Sequence, residues 1–268
     1  MRFLILLLVL FGCSGENSDS YITSPHSSLK PMVVIHDGPG LTYSYLYEYL
    51  LPLKDKRNLV FYNQKSCFNK NCAVEPVEIK ELTTQLERIV KNYNNNYTVL
   101  AHGWGSILLM EFLTSTPKDH HPNEVIFVNP APLDWSEALK SFSENSENYT
   151  SEERNIIEQI NDSKKCMQIF NIGLKYLLKH PQKNKKLNFE KYDCVLANYI
   201  SQKVGQYDFR LYSHLLPVQT TYIYGQDSHY LKYTDKYNKN LEVISKSSHY
   251  PFYENNEEFI RKVSNILK

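Results

Sequence analysis

Excess charge is the first thing this sequence lacks. Its 30 Lys and Arg against 29 Asp and Glu leave a formal net charge of +1, so composition implies no nucleic-acid partner and no strongly acidic one. An apolar run long enough to cross a bilayer as a helix, about 20 residues, is missing as well. The run from Phe3 to Phe11 falls well short of it. There is no Cys-x-x-Cys pair and no His/Cys cluster, so no metal and no cofactor are expected. Glycine is scarce between residues 133 and 216, where only Gly173 and Gly205 occur. That scarcity excludes a turn-rich β region there and suits helices.

The short apolar run is informative in its own right. Arg2 followed by Phe3–Phe11 reads as the charged and apolar regions of an export signal. Leu10-Phe11-Gly12-Cys13 comes next and resembles a bacterial lipobox, with Cys13 as the lipidated residue. Residues 1–13 are then a signal peptide, and 14–31 a polar tether holding at most one short strand, Tyr21–Thr23. The protein is expected to be exported and held at the bacterial envelope through a lipid on Cys13. Ordinary cleavage near Gly15, releasing a soluble secreted protein, is the alternative. Four further cysteines remain, Cys67, Cys72, Cys166 and Cys194. They allow three pairings. The local pairing Cys67–Cys72 with Cys166–Cys194 is preferred over four free or buried thiols, because each pair lies within one region and an exported protein meets oxidising conditions.

The rest alternates. Met32–His36, the stretch from Asn58, Tyr97–Ala101, Glu124–Val128, Val218–Tyr224 and Leu241–Ile244 are apolar, β-branched runs that suit buried strands. Residues 42–51, Glu78–Tyr93, the segment from Trp104 and Asn256–Leu267 have helical apolar spacing. This order predicts an α/β fold with a mostly parallel sheet and helices on both faces. The alternation stops between 133 and 216, where Ser151 is placed as the N-cap of one of several helices.

Four motifs give the alternation a family likeness. Ala101-His-Gly-Trp-Gly-Ser106 stands between a strand and a helix and resembles the nucleophile elbow of the α/β-hydrolase fold, in its proline iminopeptidase-like branch. His36-Asp-Gly-Pro-Gly40 resembles the family's H-G-G-P-G turn, Asn63-Gln-Lys-Ser66 its D-Q-R-G loop, and Ser248-His-Tyr-Pro-Phe-Tyr-Glu254 its G-H-x-x-x-x-E box. The resemblance implies a hydrolase core in 32–132 and 217–268, a helical cap in 133–216, and edge strands truncated at the N-terminal end. It places His249 at the triad histidine and Gly38 and Trp104 at the oxyanion-hole N–H groups. The nucleophile position falls on Gly103, which has no side chain to attack with. The acid position falls on Ser228, with Asp227 one residue early as a possible acid. Asp37 stands where the family has glycine, and its charge would oppose an oxyanion unless it points away.

Glycine tolerates the positive φ of an elbow without strain, so the turn can survive while the attacking oxygen is lost. Ser106, the nearest hydroxyl, lies one helical turn on and is a poor substitute. The sequence is therefore expected to encode a catalytically inactive or impaired hydrolase homologue that binds a small molecule, a peptide or an envelope protein. The alternative is an active proline iminopeptidase-like or esterase-like hydrolase using Ser106 or a water activated by His249. A structural envelope protein with a filled pocket is a third class.

Overall fold

The computed structural model describes residues 21–23, 28–66, 77–183, 185–204, 207–233 and 240–268. In chain order the elements are β1 (Tyr21–Thr23), β2 (Pro31–Ile35), α1 (Ser44–Leu50), β3 (Asn58–Tyr62), α2 (Ile79–Val90), β4 (Thr98–His102), α3 (Gly105–Ser115) and β5 (Glu124–Val128). After these come α4 (Trp135–Ser146), α5 (Ser151–Ile157), α6 (Cys166–Leu177), α7 (Cys194–Val204), β6 (Gln219–Gly225), β7 (Leu241–Ile244), α8 (Pro251–Glu254) and α9 (Asn256–Ile266). The strands form one sheet in the order β1-β3-β2-β4-β5-β6-β7. Only β1 runs antiparallel, with Tyr21 opposite Tyr62. The expected mostly parallel sheet and the single short N-terminal strand are both present.

Alternation along the strands builds two cores. Val33, Ile35, Val99, Ala101, Val125 and Phe127 face α2 and α3. Met32, Val34, Leu100, Ile126 and Val128 face α1, α8 and α9. A parallel sheet covered on both faces needs near-continuous apolar strands, and every residue of β4 and β5 is buried. β4 is central, so the turn that follows it sits in mid-sheet at the carboxyl ends of the strands. Ligands of open α/β sheets bind at that edge.

Helices α4 to α7 lie between β5 and β6, where the sequence loses its alternation. A disulfide joins Cys166 to Cys194 at the starts of α6 and α7. The expected Cys67–Cys72 bond, the lipidation at Cys13 and the signal segment all lie outside the described residues. One cap assignment changes. Thr150, not Ser151, is the N-cap of α5, because its side chain accepts from the Glu153 N–H while the Glu153 carboxylate returns to the Thr150 N–H. The reciprocal pair fixes the register. Among the described residues, no helix is long and apolar enough to cross a membrane.

Candidate functional site

β4 delivers His102, and the chain then turns at once into α3. Gly103 is the hinge, at φ +53°, the left-handed region that favours glycine. Its N–H donates to the Val128 carbonyl at 3.1 Å, and its carbonyl accepts from the Ser106 and Ala131 N–H groups. The turn is thus tied to the end of β5. Trp104 opens the helix with its N–H free of intrahelical bonding, as the first residues of any helix are.

That N–H points at Asp37. Asp37 follows β2, and its Oδ1 accepts from the Trp104 N–H at 2.7 Å and from the Gly38 N–H at 2.9 Å. Its Oδ2 receives the Nε2–H of His249 at 2.9 Å. The two N–H groups that the sequence assigns to an oxyanion hole therefore converge on one oxygen, and that oxygen belongs to Asp37. A Cβ added to Gly103 would overlap the same carboxyl group. Asp37 points into the site, contrary to the condition under which its charge would be harmless. The physical reason is that two unpaired backbone donors and an imidazole, all at one spot with no side chain at 103, make the best available seat for a carboxylate. Burial alone pushes the Asp37 carboxyl up. The bond and charge of His249, the field of His102 and the Trp104 N–H outweigh burial, and the group stays ionised well below the usual carboxylate range.

A buried relay supports this seat from below. The Asp37 N–H donates to the Tyr45 hydroxyl at 2.7 Å, which donates to His102 Nδ1 at 2.8 Å. His102 Nε2 then donates to the His249 carbonyl at 2.9 Å. Burial, together with the nearby charge of His249, pulls the His102 imidazole down to about 3, so it stays neutral and one tautomer satisfies both bonds. Asn129 adds a second brace. Its amide donates to the Ser248 and His249 carbonyls and accepts from the Gly225 N–H. Sequence reading missed Tyr45, His102 and Asn129 as positioning groups. Asp37 and Gly103 carried the one usable signal, two departures from the resembled motifs that compensate in volume.

The other candidates are placed as follows. Ser106 is fully buried, and its hydroxyl donates to the Gly103 carbonyl at 2.7 Å and accepts from the Ala131 N–H. Asp227 is not brought to His249. Its carboxylate pairs at 2.6 Å with His180, on the segment that follows α6, and both side chains are substantially exposed. The one-residue offset aims it outward. Ser228 is buried, with its hydroxyl accepting from the Tyr230 N–H. His249 Nδ1 is buried and has no hydrogen-bond partner among the described residues. Gln64 clamps the loop after β2 by donating to the His36 carbonyl at 2.8 Å, and accepts from the Trp104 indole. Glu254 accepts from the Lys179 and His180 N–H groups and from Ser248, which pins the segment that follows α6 beside His249.

Asp37, His102 and His249 lie near enough for one ion to touch all three. Both nitrogens of His102 are committed, however, to Tyr45 and to the His249 carbonyl. A metal would have to break that relay, and the cluster is better described as a hydrogen-bonded unit.

Above Asp37 and His249 a cavity of about 410 Å³ opens beneath α4 to α7. Its wall includes Trp104, Ile107, Tyr176, Tyr192, Tyr207 and Tyr230. The size falls within the range usual for small-molecule sites.

The fold is shared with solved proteins. An esterase from Exiguobacterium antarcticum superimposes with a TM-score of 0.66 at 13% identity, over 92% of this chain and 94% of that one. A proline iminopeptidase from Mycobacterium smegmatis does so at 0.59 and 14%, over 92% and 93%. The chain has the α/β-hydrolase fold. No protein-family model matches it. By sequence, a curated proline iminopeptidase of Lactobacillus acidophilus is 28% identical over 120 residues, 41% of this hydrolase-fold chain. The match spans 38% of that enzyme's length.

Proposed function

We propose that this hydrolase-fold protein does not carry out serine hydrolysis and uses the cavity beneath its cap to bind a small ligand. One observation carries the reading. The Asp37 carboxylate takes both backbone donors and the space that a side chain at position 103 would need. Acyl transfer requires a nucleophile in that space and free donors for the developing oxyanion. Here both requirements fail together. Ser106 does not replace the nucleophile, since its hydroxyl is buried and committed at both ends. The open cavity argues against a purely structural role, for which a filled pocket is expected.

Export and envelope attachment through Cys13 belong to the same proposal. They rest on the apolar run and the lipobox-like Leu10–Cys13. Metabolic labelling with a radioactive fatty acid, lost on Cys13→Ser, is the expected result. Unlabelled protein would leave a soluble secreted form.

Catalysis is tested with the purified full chain on prolyl and other aminoacyl arylamides and short-chain aryl esters, beside His249→Ala prepared identically. The expected rate equals that of the variant and approaches the blank. Turnover that vanishes with His249 would establish the active-hydrolase alternative.

A further inference from the structure

The cavity's chemistry narrows what it can hold, provided that it is a binding site as proposed above. Its described wall carries Asp37, His229 and His249 as its titratable groups other than tyrosine, and neither lysine nor arginine. Burial, with a contribution from His249, holds His229 down to about 3, so that ring is neutral. The two backbone donors that would welcome an oxyanion are already spent on Asp37. A carboxylate or phosphate entering here would meet a like charge and find no free cation, which costs several-fold in affinity or more.

A cation meets the opposite environment. Asp37 is ionised, its carboxylate held below the usual range by its hydrogen bonds to His249 and to the Trp104 N–H. That carboxylate lies at the cavity floor. Around it stand Trp104, Tyr192, Tyr230 and Tyr250. The phenols of these three tyrosines are pushed up first by burial and then by the field of Asp37. They remain neutral rings within electrostatic reach of that carboxylate. Aromatic faces and a buried counter-charge are the two devices by which proteins hold desolvated ammonium groups. The wall also has an aliphatic part, with Ile107, Ile157, Ile160, Ile169 and Leu174.

We propose that the ligand of this cavity is a small ammonium compound with an apolar body. Its charged end lodges beside Asp37 among the rings of Trp104, Tyr192, Tyr230 and Tyr250, and its body lies against the isoleucines of the cap.

Calorimetric titration of the full chain at about pH 8, above the ordinary imidazole range, separates this inference from the binding reading beneath it. The probes are phenylpropylammonium, phenylpropanol and phenylpropanoate, which share one body. The ammonium ion is expected to bind about tenfold or more tighter than the alcohol, and the carboxylate weakest. In Asp37→Asn, which keeps an acceptor for both N–H groups, the ratio of ammonium to alcohol affinity should fall toward one. Should that variant not fold, Tyr230→Leu is expected to lower the same ratio at least threefold. Equal binding of ammonium and alcohol, a ratio untouched by the variants, or tightest binding of the carboxylate would overturn the cation inference and leave a ligand site standing. No binding of any probe up to millimolar concentration would remove the ligand site itself.

Discussion

The two nitrogens of His249 look onto two differently finished halves of one site. On the Nε2 side every donor and acceptor is matched, with Asp37 bonded to His249, Trp104 and Gly38 and backed by Tyr45 and His102. On the Nδ1 side the imidazole is buried without a described partner, while Asp227, the candidate acid of the sequence, is turned away to His180. A triad needs the reverse arrangement, with a carboxylate behind the imidazole and a neutral hydroxyl in front of it. Here the charge has moved to the front. The matched half is costly to disturb and the unmatched half is not, and that contrast can be measured.

The largest effect expected is on acid stability, and it falls mainly on the matched half. His36 and His102 belong to that half and are held by burial down to about 4 and about 3, and His229 beside the cavity to about 3. Their folded values lie below the unfolded value of 6.5, so the unfolded chain binds more protons as pH falls below 6.5, and stability drops. Each contributes a loss on the order of 1–2 kcal/mol by about pH 5. The Asp37 carboxyl, depressed in the folded state, adds a further loss only below its ordinary value of 3.8. Urea midpoints at pH 7 and pH 5 check this, and midpoints that coincide would contradict neutral buried imidazoles.

Second in size is Gly103→Ser. The new side chain meets Asp37 and is held at positive φ, so a loss of about 2–4 kcal/mol is expected from overpacking and backbone strain together. Thermal unfolding measures it. Smallest is Asp227→Ala on the other side. Its ion pair is substantially exposed, so the change should stay within about 0.5 kcal/mol and leave the probe affinities unaltered. A loss above 1 kcal/mol, or a changed affinity, would mean that Asp227 acts on His249 after all.

The fold was legible because its signals are local. Apolar runs such as Glu124–Val128 are buried over their whole length, and the loss of alternation after Pro132 marks where α4 to α7 begin. The strand–turn–helix at Gly103 was legible because only a few small residues fit so short a turn. The site was legible as far as His249, Gly38 and Trp104, whose places follow from the backbone. The rotamer of Asp37 was not, because it is decided by donors that come from position 104, far along the chain. Nor was the partner of Asp227, since His180 lies 47 residues away in sequence. The Tyr45–His102 relay joins residues 57 apart, and nothing in either stretch announces the other.

A double-mutant cycle on Asp37 and Gly103 tests the central claim most directly. The unfolding free energies of wild type, Gly103→Ser, Asp37→Gly and the double variant would be compared. If the carboxylate fills the space above Gly103, serine should be tolerated better once Asp37 is gone, with a coupling of about 1–3 kcal/mol. Additive losses would mean that Asp37 and position 103 do not compete for one volume, and the reading of the site as closed to serine chemistry would fall.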